Sequence, residues 1–302
     1  AGIAWRTYQG KPALPRQKHL AVLPFTVIGK DAELQVLADG LTETITGRLG
    51  QVEQIQEEFA IVPSSEIRSR KTASAEQARR IHGANLAISG SARREAKRIQ
   101  LTLNLIDAVS LRQVGVRTVE AGEEQSRVLQ EGATAAALRL LDFQLAAPAA
   151  NASGDGGSAD TGAQNDYLRG RGYMARIDVP GNIHLAIASF ESAIDKDPNY
   201  AVAHGALGEA LGHKAEMTSD RAFAVKALAR AERAVQLNPS LASLRVKWAE
   251  LLLRGGRGEE ALEQLRQAQR LEKRNADISI ALGNYYSGVG KMAEAEAAYK
   301  EA

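Results

Sequence analysis

The chain has 302 residues, a formal net charge of +2, 44% hydrophobic residues and no cysteine. Its length and apolar content suffice for two domains with separate cores. The near-balanced charge gives no reason to expect a polyanionic ligand, and nucleic acid is not an expected partner. The absence of cysteine excludes disulfides, thiolate metal sites and thiol nucleophiles, and fits cytosol and bacterial periplasm equally.

In chain order, Ala1-Gly2-Ile3-Ala4-Trp5 with Arg6 and Tyr8 admits two readings. One is the last turn of a membrane helix leaving through its interfacial belt; the other is a disordered end. Arg6, Lys11, Arg16 and Lys18 argue for a cytoplasmic exit by the positive-inside rule. Residues 1–17, with Pro12 and Pro15, then form an extended juxtamembrane tether. At the other end Ala302 falls inside a predicted helix, which reads as a longer protein.

Leu20–Phe25 is a continuous apolar run and predicts a buried strand, with Pro24 near its end. Leu37, Leu41, Ile45 and Leu49 mark an amphipathic helix. Phe59–Pro63 predicts a second strand. Ser74 and Gln77 form a capping-box signature for a helix that Gly83 ends. Leu86–Ile88 predicts a third strand, and the strict alternation of Ile99, Leu101, Leu103 and Leu105 a fourth. Val114, Val116 and Thr118 predict a fifth. A helix from about Glu123 to Leu141 carries Val128, Leu129, Ala135, Leu138 and Leu141 on its apolar side. The order βαβαβββα implies an α/β fold, a mixed five-stranded sheet with packed helices, whose final three strands form a meander.

Leu20–Phe25 (LAVLPF), Leu37–Leu41 (LADGL), Ile61–Ser65 (IVPSS), Ile88–Arg94 (ISGSARR) and Leu105–Ala108 (LIDA) carry a family likeness. Together they make residues 18–143 resemble the TolB-like amino-terminal domain, related to the FlgO/CsgG-like folds, which occurs in bacterial signalling proteins directly before TPR repeats. The loop Thr26–Gln35 lacks the Asn/Ser-containing pattern usual after the first strand. The aromatic often found in the last strand is missing around Gln113–Val116.

Residues 144–165 are rich in Ala, Gly, Ser and Asp without apolar periodicity and read as a flexible linker. Residues 166–302 contain one helical pattern written four times. Leu282, Gly283, Tyr286, Ala295, Tyr299 and Ala302 recur 34 residues earlier as Trp248, Ala249, Leu252, Ala261, Leu265 and Ala268. Another 34 back stand Ala227, Ala231 and Ala234, and 41 further back Ala186, Phe190 and Ala193. These slots resemble those of a TPR array, an all-α solenoid of helix hairpins that must stack to bury their apolar faces. Small residues would let the two helices of a hairpin approach, and aromatic or Leu slots would fill the gaps. The first hairpin should have a longer loop after Tyr173. Extra residues around Lys214–Phe223 should lengthen a helix or loop of the second.

No catalytic motif occurs, and the five histidines lack metal-ligand spacing, so no cofactor or metal is expected. His204 and His213 read as solvated or groove-lining. Arg93, Arg94, Lys97 and Arg98 crowd a predicted hairpin, either as a solvated turn or as a dock for lipid headgroups or an acidic partner. By the register of a TPR array, the first helix of each hairpin lines a groove. This assigns Val202, Gly205, Glu209 and His213 in the second repeat, Val246, Glu250 and Leu253 in the third, and Asp277, Ile280 and Asn284 in the fourth. An amphipathic peptide with some basic character is the natural guest.

The resemblance implies a non-catalytic sensor or protein-interaction region that binds a protein, peptide or cell-envelope ligand. Its expected setting is the periplasmic part of a membrane-tethered serine/threonine kinase. The alternative is a cytosolic scaffold region of an adenylate cyclase or transcriptional regulator with the same architecture.

Overall fold

The computed structural model describes residues 14–53, 56–143, 156–273 and 275–302. The Ala1–Trp5 segment, most of the tether and residues 144–155 of the expected linker lie outside them. Among the described residues no helix is long and apolar enough to cross a membrane.

The first domain is a mixed sheet with helices on both faces. Its strands are β1 (Lys18–Val22), β2 (Thr26–Val27), β3 (Phe59–Ile61), β4 (Leu86–Glu95), β5 (Arg98–Asp107) and β6 (Arg112–Gly122). They lie in the order β3-β1-β4-β5-β6, with β2 on β4. β1 runs parallel to both neighbours, with Leu20 opposite Ile61 and Leu86. β4, β5 and β6 form the antiparallel meander. The central place of β1 explains its unbroken apolar run, because both faces are covered. Leu20 and Val22 face the large core with Leu101, Leu103 and Leu105. Ala21 and Leu23 face a smaller core with Val62, Ile67 and Ala78.

Helix α1 (Ala32–Glu53) closes the large core with Leu34, Ala38, Leu41, Ile45 and Leu49. The short α2 (Ser64–Ser69) and α3 (Ala75–His82) cover the other face. Ser74 Oγ accepts from the Gln77 N–H, and Gly83 ends α3 at φ +70°, a left-handed cap that glycine adopts without strain. Helix α4 (Ser126–Leu140) packs beside α1 through Leu129, Ala133, Ala137 and Leu140. Val128, expected on that apolar side, is instead exposed, because the buried stripe runs one position later. Three further departures follow. The sheet has six strands, not the expected five, because the short β2 after Pro24 adds to β4; β4 continues past Ile88 to Glu95; and α2 follows β3 where the sequence predicts no helix. The β4 extension alternates apolar and polar only weakly, so pairing with β5 rather than pattern defines it.

The second domain is four helix hairpins. They are α5 (Thr161–Ala175) with α6 (Asn182–Lys196), α7 (Ala201–Thr218) with α8 (Arg221–Leu237), α9 (Ala242–Arg254) with α10 (Gly258–Leu271), and α11 (Ala276–Gly288) with α12 (Met292–Glu301). The repeat slots meet as their chemistry requires. A Cβ on Gly170 would lie 2.3 Å from the Phe190 ring, and one on Gly283 would lie 2.3 Å from the Tyr299 ring. In the third hairpin Ala249 and Leu265 are both fully buried in one cluster. The long first loop spans 176–181, and the extra residues of the second hairpin lengthen α7 and α8. Residues 161–165, expected in the linker, already belong to α5, whose start Asp160 caps by accepting from the Ala163 N–H at 2.7 Å.

The two domains are docked. Helix α5 crosses α1 so closely that a Cβ on Gly40 would fall 2.1 Å from the Leu168 carbonyl oxygen. A Cβ on Gly172 would fall 1.8 Å from that of Val36. Leu168 thereby joins the core of the first domain.

Candidate functional site

Docking α5 on α1 leaves a cleft of about 840 Å³ between the domains. One wall comes from α1, α2 and α4, the other from α5, α7, α9 and α11. Because α7 contacts α9 and α9 contacts α11, the first helices of successive hairpins form a continuous wall. Of the residues that repeat register assigns to a groove, Val202, Glu209, Val246, Glu250 and Asp277 line this cleft.

The other expected groove residues lie elsewhere. His213 Nδ1 is 3.6 Å from Glu216, and Leu253 packs against the third hairpin's core. Asn284 accepts a 2.8 Å hydrogen bond from the Tyr299 hydroxyl. Ile280 is half-buried and is not part of the cleft lining, nor is Gly205, which faces Leu244. The lining positions of α7, α9 and α11 end at Glu209, Glu250 and Asp277, so His213, Leu253, Ile280 and Asn284 lie beyond them along their helices, whereas Gly205, between Val202 and Glu209, is turned towards Leu244.

An alternating series of charges runs through the cleft floor. Glu43 of α1 is 5% exposed at its side chain; it accepts from Ser64 Oγ at 2.9 Å and pairs with Arg68 of α2. Arg171 of α5, 13% exposed, reaches Glu43 Oε2 at 3.1 Å with one nitrogen and Glu209 Oε2 at 3.0 Å with the other. Lys247 of α9 closes on the same Glu209 oxygen. Burial works against the ionised form of Glu43, but Arg68 and Arg171 outweigh it and its pKa ends below the ordinary value. At Glu209 burial is likewise outweighed, by Lys247 and then Arg171, and the carboxyl ends far below the usual range. Register assigns Glu209 to a ligand; its charge is instead consumed inside the protein.

Glu250 and Asp277 behave oppositely. The protein surrounding them raises both carboxyls above their ordinary values, and Lys247 offsets this only in part. Glu43, Arg171 and Lys247 are not among the groove residues that repeat register assigns. A faint signal exists: Glu43 lies between the buried Leu41 and Ile45, and Arg171 sits between Gly170 and Gly172, where close packing limits a charge's access to water.

The basic hairpin is largely paired. Arg94 bonds Asp31 at 2.8 Å and also Glu123. Arg93 reaches Glu95 at 2.9 Å, and Arg98 reaches Glu120 at 3.5 Å. Lys97 stays exposed at the turn. His204 is neither solvated nor in the cleft: it is buried and donates from Nε2 to the Pro198 carbonyl at 3.0 Å. Among the described residues no group of His, Asp and Glu is placed to hold a metal ion.

No family model matches the chain. A curated protein named "Putative adenylate cyclase 3", from Rhizobium meliloti (strain 1021), is 27% identical over 197 residues. That match covers 65% of this chain and 33% of the relative, so the chain spans about one third of that protein's length. Among solved structures, a thermophilic TPR protein of Thermus thermophilus is 20% identical at a TM-score of 0.43, covering 59% of this chain and 81% of its own. A crystal structure of MamA is 19% identical at a TM-score of 0.37, covering 59% and 90%. With overlaps this partial, the hairpin assignment rests on the geometry described above.

Proposed function

We propose that this chain is the non-catalytic, protein-binding region of a bacterial signalling protein whose effector part is a nucleotide cyclase. In this reading its sheet domain is TolB-like and its hairpins are TPR units. The observation that carries the proposal is the cleft built jointly by the two domains, with a mixed apolar and charged lining of the kind that receives a peptide segment. The effector class is supported by the cyclase-named relative, whose length leaves room for a catalytic part outside the region shared with this chain. The location follows the effector, and a cyclase consuming ATP works in the cytosol. A bound partner would shift the orientation of the region relative to the effector and so change its output.

The deciding experiment assays the full gene product for conversion of ATP to cyclic AMP, in parallel with protein phosphorylation, with and without residues 14–302. Cyclic AMP formation that changes on removal of the region is expected. Phosphorylation without cyclic AMP would replace this reading with the kinase architecture.

A further inference from the structure

The charges of the hairpin wall are unequally used. Of its cations, Arg171 and Lys247 close on Glu209, and Arg254, whose charge also acts on Glu250, closes on Glu216 at 3.0 Å. This leaves Glu250 on α9 and Asp277 in the first turn of α11, each with no ion pair among the described residues. The helices that carry them are in contact, and the Asp277 charge acts on Glu250. Glu250 is half-buried and Asp277 exposed, and with neither in an ion pair their two negative charges on the cleft wall favour an incoming positive charge.

A second observation concerns Gln164 of α5, which lines the same cleft and is 7% exposed. Its Nε2 donates to the Ser158 carbonyl, whereas its Oε1 has no hydrogen-bond partner among the described residues. A buried acceptor left unmet is costly, and it asks for an N–H. A helix interior has none to offer, because its N–H groups bond within the helix. An extended chain presents free N–H groups at every second residue.

We propose that the cleft takes an extended, cationic segment of a partner protein, with a lysine or arginine side chain between Glu250 and Asp277 and a backbone N–H on Gln164 Oε1. The inference rests on the protein-binding reading and narrows it. Glu209 has no part in recognition, since its charge is already balanced. The wall formed by the first domain makes the site composite, so the hairpins without that domain would not retain it.

The test uses the full chain and fluorescent, end-blocked nine-residue peptides of randomised sequence with a fixed central Arg, Lys, citrulline or Glu. Binding is read by anisotropy at low and moderate salt. The Arg and Lys pools should bind about tenfold more tightly than the citrulline and Glu pools, a difference that salt reduces. The E250Q/D277N variant should lose that preference. Q164L should weaken every pool, and E296Q on α12, remote from the cleft, should change nothing. Equal binding of all four pools, absence of binding, or a preference that survives in E250Q/D277N would overturn the proposal. So would spermidine competing as strongly as the Arg pool, because the site would then recognise a free polyamine. Any of these results leaves the cyclase assay above untouched, so failure of the two readings can be told apart.

Discussion

Glu43 and Arg171 stand 128 positions apart in the chain, yet their side chains meet at 3.1 Å across the domain boundary. The same guanidinium continues to Glu209 at 3.0 Å, so one arginine joins the sheet domain to the second hairpin. Its planar fork suits this role, because two nitrogens serve two carboxylates without a change of rotamer. The bridge lies beside the Gly40–Leu168 crossing, where the backbones already touch. Steric fit and charge pairing therefore specify the same relative placement of the domains.

Replacing Arg171 by Leu should be among the most damaging single changes. It leaves the buried Glu43 with one cation and Glu209 with Lys247 alone. Loss of one partner from a buried ion pair costs about 3–5 kcal/mol. Urea unfolding should show that loss, with Arg171→Lys intermediate because an ammonium cannot reproduce both contacts.

The domain crossing itself is tested at Gly172. Alanine there would gain about 1 kcal/mol of helix propensity. Its Cβ, however, would sit 1.8 Å from the Val36 carbonyl oxygen, and backbone cannot move aside as a side chain can. The clash should win and part α5 from α1. Gly172→Ala should keep a native-like far-UV circular dichroism spectrum but show a larger radius of gyration in small-angle scattering. An unchanged radius would mean the crossing does not hold the domains.

Inside the first hairpin, Gly170 and Phe190 should behave as a coupled pair. Phe190 is fully buried, and Phe190→Ala should cost about 3–5 kcal/mol through the cavity it leaves. Gly170→Ala should cost about 1–3 kcal/mol by overpacking, since the new methyl meets the ring. The double variant should cost less than the sum, because the methyl enters the space the ring vacates. Additive losses in thermal or urea unfolding would show that the two slots do not fill one space.

These sites show which parts of the structure the sequence could reveal. The meander is visible because Ile99, Leu101, Leu103 and Leu105 alternate over a long strand, and α3 because Ser74 and Gly83 cap it locally. The hairpins are visible because their slots recur at a fixed interval. The cleft is half visible: Val246 and Glu250 follow from repeat register, but Glu43, Arg68 and Arg171 become site residues only through domain docking. No local pattern encodes that step. Gly40 and Gly172 do the enabling, and each reads in sequence as one more small residue in a helix. Similarly, the pairing of Glu209 with Arg171 on α5 and Lys247 on α9 cannot be read from its own helix.

Asp39, one turn before Glu43 on α1, gives the junction a pH dependence. Its Oδ1 accepts from Gln35 Nε2 at 2.9 Å, while Oδ2 lies 3.9 Å from Arg176 Nε on the domain-crossing side. Burial is the largest influence and raises its pKa from 3.8 to about 6; the Gln35 hydrogen bond and Arg176 oppose this, and Glu43 adds to it. The folded form thus holds the proton more tightly than the unfolded chain. Its contribution to stability is complete below the unfolded value near 4 and is lost as pH rises through about 6. The full swing corresponds to about 3 kcal/mol at ~1.4 kcal/mol per unit. Glu43 and Glu209, with lowered values, act in the opposite sense and lose stability as pH falls, so the wild-type profile is a sum. Asp39→Asn isolates the first component, because the amide keeps the shape without the charge. The variant should be more stable than wild type at pH 7, with the difference vanishing towards pH 4, when both are followed by urea unfolding. A difference that stays constant across that range would show that Asp39 keeps its ordinary acidity at the junction.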